Sequence, residues 1–282
     1  MAKSSGTLYV VATPIGNRAD LSPRARDVLA AAACIAAEDT RHSAALLREL
    51  GVSTPLVSLH EHNEALRTAE LIARLGAGDD VALISDAGTP LISDPGFRLV
   101  KAAHAAGVQV CAVPGPAAVV AALSIAGIAT DRFIFEGFLP ERAAPRRERL
   151  AALAAETRTL VFYEAPHRLV ATLADMVSVF GDERQGAIAR EMTKMHETLY
   201  RATLGKLAAQ SATDPDMTRG EIVIVVAGAA SKLESEQGEQ LLRVLLAELP
   251  LKQAVDLAVK ATGAQRNALY QKALAIKAEK ND

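Results

Sequence analysis

The chain has 282 residues, half of them hydrophobic, with a formal net charge of −2 and two cysteines. That length allows two substantial cores. The balanced charge argues against a global pull toward nucleic acid, and the cysteine count against a disulfide scaffold or a multi-cysteine metal site, so a reducing cytoplasm is expected.

The amino-terminal Met-Ala-Lys-Ser-Ser-Gly leads straight into a strand-like run without the apolar core of a signal peptide, so export is not expected. Thr7 to Ala12 is predicted as a strand, and Thr13-Pro-Ile-Gly-Asn17 as the loop after it. Ser22-Pro23 opens a helix, Ser as cap and Pro at the first helical position. Cys34 to Ala37 reads as a short strand, followed by the polar cluster Glu38-Asp-Thr-Arg-His42 and a helix over Ala44 to Leu50. Polar density at a strand's end suits chemistry, and it equally suits a helix cap.

Leu56 to Leu59 is another predicted strand, with a helix through Leu75. His60-Glu61-His62 lacks a third ligand at a metal-site spacing, so no metal site is expected. Val81 to Ile84 is a strand that breaks into Ser85-Asp-Ala-Gly-Thr-Pro-Leu-Ile-Ser-Asp-Pro-Gly96, where Ser-Asp-x-Gly occurs twice. The first copy reads as a ligand loop with backbone groups left to face a ligand. The second is expected to start a helix, with Asp94 as N-cap and Pro95 at its first position. Val108 to Val113, Pro114-Gly-Pro116 and a helix over Ala117 to Ala126 repeat the strand, loop and helix order. The uncharged run from Ala102 to Thr130 is cut by Gly107, Pro114-Gly115-Pro116 and Gly127 into pieces too short to span a membrane, so it is buried core.

The pattern restarts near Ile128, which gives an α/β domain over 1–121, a second α/β domain over 122–230 and a helical segment over 231–282. Strands are expected at Phe133 to Phe138, Leu160 to Tyr163, Ala187 to Ala189 and Glu221 to Ala227, with a charged bend at Arg190 to Lys194 before a strand over Glu197 to Tyr200. Short helices are expected toward Phe180 and at Gly205 to Gln210. The Arg-rich segment from Glu141 to Arg149, four Arg against two Glu, reads as a loop before a helix. It and the last thirty or so residues are candidate phosphate-contacting patches or simply solvated faces. Gln240 to Leu249, Lys252 to Ala261 and Gln265 to Lys277 are helical, and the last two with Gly263 between them have a helix-turn-helix pattern, or form a plain helical appendage.

No phosphate-binding P-loop, dinucleotide fingerprint or Gly-x-Ser-x-Gly elbow is present. Three Gly/Pro loops at strand ends, none anchored by a lysine, suit a ligand with adenine, ribose and a neutral or positive centre better than a polyphosphate. S-adenosylmethionine fits that description. Transfer of its methyl group needs in-line positioning, a water-poor cleft and a base for the acceptor.

The set Val11-Ala-Thr-Pro-Ile-Gly-Asn17, Glu38-Asp-Thr-Arg41, Ser85 to Gly96, Val113-Pro-Gly-Pro116, Gly137-Phe-Leu-Pro140, Phe162-Tyr-Glu164 with His167-Arg168, and Arg190-Glu-Met-Thr-Lys194 with Glu197 resembles, in order, the motifs of the ribosomal RNA small subunit methyltransferase I family. The carboxyl-terminal helices resemble that family's terminal helix-turn-helix. Ala117 and Ala165 stand where some members carry Ser. The resemblance implies a two-domain tetrapyrrole methylase-like fold of the class III S-adenosylmethionine methyltransferases, with the cofactor in the cleft between domains. It implies a homodimer and 2′-O-methylation of a cytidine in the decoding region of small-subunit ribosomal RNA, free or in the assembled subunit. It places Pro14, Asp86, Ala87, Gly88, Thr89, Pro90, Ile92, Pro114 and Gly115 at the cofactor, with Phe162, Tyr163 and Met192 from the second domain.

For the base that takes the 2′-hydroxyl proton the order of preference is Asp39, Glu164, Lys194, with Arg41 and Arg168 suited to RNA phosphate. Each could equally be a structural ion pair. A tetrapyrrole-precursor methyltransferase of the same fold and a non-catalytic RNA-binding protein are the competing readings.

Overall fold

The computed structural model describes residues 5–60, 62–230, 232–264 and 266–279; Glu61, Ser231 and the expected helix start at Gln265 lie outside them. The chain divides into two compact units. The first holds residues 1–122 together with Glu191–Thr198, and the second the remainder.

In the first unit, β1 (Thr7–Val11), β2 (Cys34–Ala37), β3 (Leu56–Ser58), β4 (Val81–Ile84) and β5 (Gln109–Val113) form a sheet of order β3-β2-β4-β1-β5 whose registered pairs are all parallel. The alternating side chains of β4 show why these short apolar runs are strands. Val81 and Leu83 enter one core with Leu71 and Leu75 of α3 (Glu64–Gly76) and Leu99 and Ala103 of α4 (Phe97–Ala105). Ala82 and Ile84 enter the other with Ala25 and Leu29 of α1 (Pro23–Ala31) and Leu47 of α2 (Thr40–Glu49). A strand buried on both faces reads as a continuous hydrophobic run rather than an alternating one.

The helices after β1 and β2 therefore cover one face, and the helix after β4, which lies between those two strands, covers the other. Chains leaving adjacent parallel strands toward opposite faces open a crevice at the strands' carboxyl ends, where α/β sheets bind ligands.

Several helix starts differ from expectation. Ser22 caps α1 as predicted, its Oγ accepting from the Ala25 amide at 3.0 Å. However, α2 begins at Thr40 because the Asp39 carboxylate accepts from the Arg41 amide at 2.8 Å and the His42 amide at 3.4 Å. Asp94 does not cap α4. The cap position is Gly96, at φ 122°, and the capping carboxylate comes from Glu64, whose Oε1 accepts from the amides of Gly96 at 3.0 Å and Arg98 at 2.9 Å. A long-range acceptor took the role that local spacing assigned to Asp94.

The second unit's sheet has the order β6-β7-β10-β8-β9, with β6 (Phe133–Phe138), β7 (Thr159–Glu164), β8 (Gln185–Arg190), β9 (Thr198–Thr203) and β10 (Ile222–Val226). Strand β10 pairs antiparallel with both β7 and β8, while β6 and β7 are parallel. Its core gathers Leu150 from α6 (Ala143–Ala152), Leu169, Leu173, Met176 and Phe180 from α7 (Leu169–Phe180), and Leu204 and Leu207 from α8 (Leu204–Ser211), over Leu160, Phe162, Ile222 and Ile224. Helix α5 (Ala118–Ala126) closes the run after β5.

The Arg-rich segment is mostly the helix α6, not a loop. Arg146 is buried against Asp175 at 2.7 Å, Arg147 reaches the same carboxylate at 3.2 Å, and Arg149 pairs with Glu136 at 2.6 Å, so these three hold α6 in place and are a poor phosphate patch. The terminal helices α9 (Lys232–Glu248), α10 (Leu251–Thr262) and α11 (Arg266–Glu279) share a core of Leu242, Val255, Leu269 and Ile276. Helix α9 begins eight residues earlier than the pattern suggested. Between α10 and α11, Gly263 adopts the left-handed conformation at φ 72° that ends a helix and turns the chain.

Candidate functional site: interlocked loops at the strand ends

The loops after β1, β2, β4 and β5 are tied to one another. Thr13 and Gly88 exchange two backbone hydrogen bonds, Thr13 N to Gly88 O at 2.8 Å and Gly88 N to Thr13 O at 3.1 Å. These two bonds hold the loops together, so within the first Ser-Asp-x-Gly copy the Gly88 N–H and C=O serve the scaffold. The buried Thr13 hydroxyl adds a bond to Ser85 O at 3.2 Å, and Thr89 Oγ1 donates to Pro116 O at 2.9 Å. The Asp39 amide donates to Asp86 Oδ1 at 3.1 Å, which binds the β2 loop to the β4 loop.

Two glycines are required by close approach. A Cβ on Gly115 would lie 2.9 Å from the Ala12 Cβ, and one on Gly88, already at φ 86°, 3.1 Å from Ile15 Cγ2. Pro14, Asp86, Ala87, Gly88, Thr89, Pro90, Ile92, Pro114 and Gly115 all belong to this cluster of loops at one end of the sheet. Ile92 is an exposed large hydrophobic side chain there.

The segment Glu191–Thr198 joins the same unit. The Asn17 amide donates to Thr193 Oγ1 at 2.9 Å, and a Cβ on Gly16 would meet Lys194 Cγ at 2.5 Å and Met192 O at 3.1 Å. Met192 is thus a buried first-unit residue, not a second-domain one as the resemblance placed it. Glu191 and Thr193 hold left-handed backbone at φ 51° and 65°. Non-glycine residues persist there only when their surroundings over-determine them, and such strain gathers at functional sites.

The candidate catalytic residues separate by environment. The Asp39 carboxylate is 41% exposed, and the amide hydrogen bonds from Arg41 and then His42 hold its pKa below the ordinary value. Arg41, 93% exposed, lies 3.6 Å from it. Lys194 Nζ pairs with Glu191 at 2.8 Å. Glu164 is buried in the second unit, accepting from Thr172 Oγ1 at 2.5 Å and the Ala165 amide at 2.8 Å, with Arg168 Nε at 3.0 Å. With both oxygens hydrogen-bonded, Arg168 beside it and no solvent access, Glu164 is placed as a structural anchor.

Phe162 is fully buried in the second core, so its side chain packs and does not face a ligand. Tyr163 points to the opposite face, where its ring meets Phe135 at 4.8 Å and Phe138 at 5.6 Å, both edge to face.

Asp94 is the residue the spacing misread. Burial pushes its pKa up to about 6, further raised by the nearby Asp86 carboxylate and partly offset by a hydrogen bond with Ser85. The signal was present in the second Ser-Asp copy, whose likeness to the first places two carboxylates on one loop. Among the described residues no group of three or more His, Cys, Asp or Glu could hold a metal ion, and no helix is long and apolar enough to cross a membrane.

The family model for tetrapyrrole (corrin/porphyrin) methylases matches residues 7–208, and that for an RsmI C-terminal HTH domain matches 232–277. The chain is 57% identical to a Pseudomonas aeruginosa protein named ribosomal RNA small subunit methyltransferase I, over 96% of this chain and 98% of the relative. It is 48% identical to the Escherichia coli O157:H7 protein of the same name, over 96% of each. Among solved structures it resembles uroporphyrin-III-C-methyltransferase from Thermus thermophilus, with a TM-score of 0.56 and 23% identity over 79% of this chain and 94% of that one. A structure of the Thermus enzyme complexed with S-adenyl homocysteine gives a TM-score of 0.55 at 19% identity, covering 79% and 97%. These two likenesses concern the fold.

Proposed function

We propose that this chain, which belongs to the ribosomal RNA small subunit methyltransferase I family within the tetrapyrrole methylases, is an S-adenosylmethionine-dependent methyltransferase acting on the 2′-hydroxyl of a cytidine in the decoding region of small-subunit ribosomal RNA. The observation that carries the reading is the interlocked set of strand-end loops. It offers close-approach glycines, backbone atoms and the acidic Asp86, with no lysine or arginine among the loop residues named above. Such a cradle fits a nucleoside bearing a cationic sulfonium better than it fits a polyphosphate.

The first-unit residues that would hold the cofactor are Pro14, Asp86, Ala87, Gly88, Thr89, Pro90, Ile92, Pro114, Gly115 and Met192. When bound, the cofactor supplies an electrophilic methyl group and leaves as a neutral thioether. Asp39 takes the 2′-hydroxyl proton. It is ionised at neutral pH, reached by solvent and tied through its amide to Asp86 of the cofactor loop. Its lowered pKa keeps it ionised at some cost in driving force. Lys194, paired with Glu191, positions the segment over Gly16, and Arg41 offers a fixed fork to an RNA phosphate.

The terminal helices, with their turn at Gly263, add a second RNA contact. Domains at 1–121, 122–230 and 231–282, with Glu191–Thr198 grouped with the first, a homodimer and a cytoplasmic setting complete the reading. Labelled S-adenosylmethionine, incubated with the purified protein and unmethylated small ribosomal subunits or free RNA, should label a cytidine ribose. Labelling of a porphyrinoid instead, or no cofactor binding at all, would overturn it.

A further inference from the structure

We propose that Glu64 is a positioning residue for the cofactor loop, a role that rests on the function just proposed. The stretch from Ser85 to Gly96 leaves β4 and does not resume regular backbone until Phe97. Within it Gly88, Leu91, Ser93 and Gly96 have φ of 86°, 72°, 73° and 122°. Leu91 and Ser93 are not glycine, and a side chain in the left-handed region costs about 1 kcal/mol or more. The loop keeps this shape only if both of its ends are held.

The first half is held by Thr13, through its exchanged bonds with Gly88, and by Thr89 on Pro116 O. The second half is held from another element. Glu64 opens α3, yet its carboxylate turns to the start of α4 and Oε1 takes the amides of Gly96 and Arg98, while Oε2 lies 3.7 Å from Arg98 Nε. No side chain of α4's own N-cap position makes a capping bond. Glu64 is 8% exposed. A buried carboxylate is retained only where hydrogen bonds offset its desolvation, and here it also stands at the positive ends of two helix dipoles, those of α3 and α4.

The consequence is specific to binding. Without Glu64 the Leu91 to Gly96 backbone is free to relax toward ordinary conformations, which moves Ile92 and Pro90, both assigned to the cofactor. The chemical step, centred on Asp39, is not touched. Glu64 thus sets cofactor affinity and leaves turnover at saturation alone.

The test uses the full-length protein with Glu64→Ala, Glu64→Asp and Glu64→Gln. The readouts are hydrogen exchange over residues 85–100, S-adenosylmethionine affinity by calorimetry, and kcat at saturating cofactor. Glu64→Ala should speed exchange at 91–98 and weaken cofactor binding about tenfold, equivalent to ~1.4 kcal/mol, with kcat within about twofold of the parent. Glu64→Asp, too short to reach both amides, should behave alike and carries the comparison if the alanine variant does not fold. Glu64→Gln should stay within about threefold of the parent, since both amides use Oε1 alone and an amide oxygen can accept both. Unchanged exchange and affinity in Glu64→Ala and Glu64→Asp overturn the proposal, as does a Glu64→Gln variant as impaired as they are. If the unsubstituted protein binds no S-adenosylmethionine, the proposed function falls, and the exchange comparison still decides whether Glu64 fixes the loop.

Discussion

Replacing Asp94 with Asn fixes in its neutral form a carboxyl that the fold already disfavours as an anion. Burial, and then the Asp86 carboxylate, push its pKa from the ordinary 3.8 up to about 6, a displacement equivalent to about 3 kcal/mol; because the group is only half-buried, solvent screening reduces the usable figure to about 1–2 kcal/mol. The folded chain holds this proton more tightly than the unfolded chain does. The carboxyl's contribution to stability is therefore fully present below about pH 4 and is lost as the pH rises through about 6. Asp94→Asn should melt about 3 to 6 °C above the parent at pH 7.5, and the gap should close as the pH falls to about 4. Thermal melts of both proteins in a series of buffers at constant ionic strength measure this directly. A gap that is independent of pH, or a variant less stable than the parent at pH 7.5, would refute the placement of Asp94 in a desolvated pocket beside Asp86.

Asp39→Asn should keep cofactor affinity and lose methyl transfer by about 10²- to 10⁴-fold, the range for a general base, as measured by label incorporation into unmethylated subunits; near-normal transfer removes Asp39 from the role. Gly115→Ala should weaken S-adenosylmethionine binding at least about tenfold, because the new Cβ meets Ala12 at 2.9 Å and pushes the β5 loop off its place; calorimetry reporting parental affinity would contradict the close-approach argument. Glu164→Gln leaves one acceptor oxygen where the Ala165 amide and the Thr172 hydroxyl use two, and strips the buried anionic partner from Arg168; it should cost about 3 kcal/mol in urea unfolding while the specific activity of the folded enzyme is retained. Loss of activity without loss of stability would return Glu164 to the catalytic set.

The amino-acid sequence determined by itself most of the elements and the loops between them, the Arg-rich α6 stretch and the start of α9 excepted. Runs such as Val81 to Ile84 are too short and too uniformly apolar to be anything but strands buried on both faces, and the Gly and Pro that follow them must turn the chain at the same end of the sheet. The motif set carried the family, because many short stretches in fixed order are far more specific than any one of them. Local rules also served where the partner was local, as at Ser22 and Pro23.

Tertiary structure decided whatever depended on a distant partner. Asp94 had the spacing of an N-cap, but Glu64, 32 residues before Gly96, supplies the cap and leaves Asp94 beside Asp86. Phe162 and Tyr163 are neighbours in one motif, yet the pleat of β7 sends the first into the core and the second to the other face. Glu164 and Asp39 look alike as carboxylates at strand ends. Only packing shows that Glu164 is buried and paired with Arg168 and that Asp39 is open to solvent. The physical reason is common to all of them: hydrogen-bond partners and burial are set by residues far apart in the chain, whereas periodicity and turn chemistry report on neighbours.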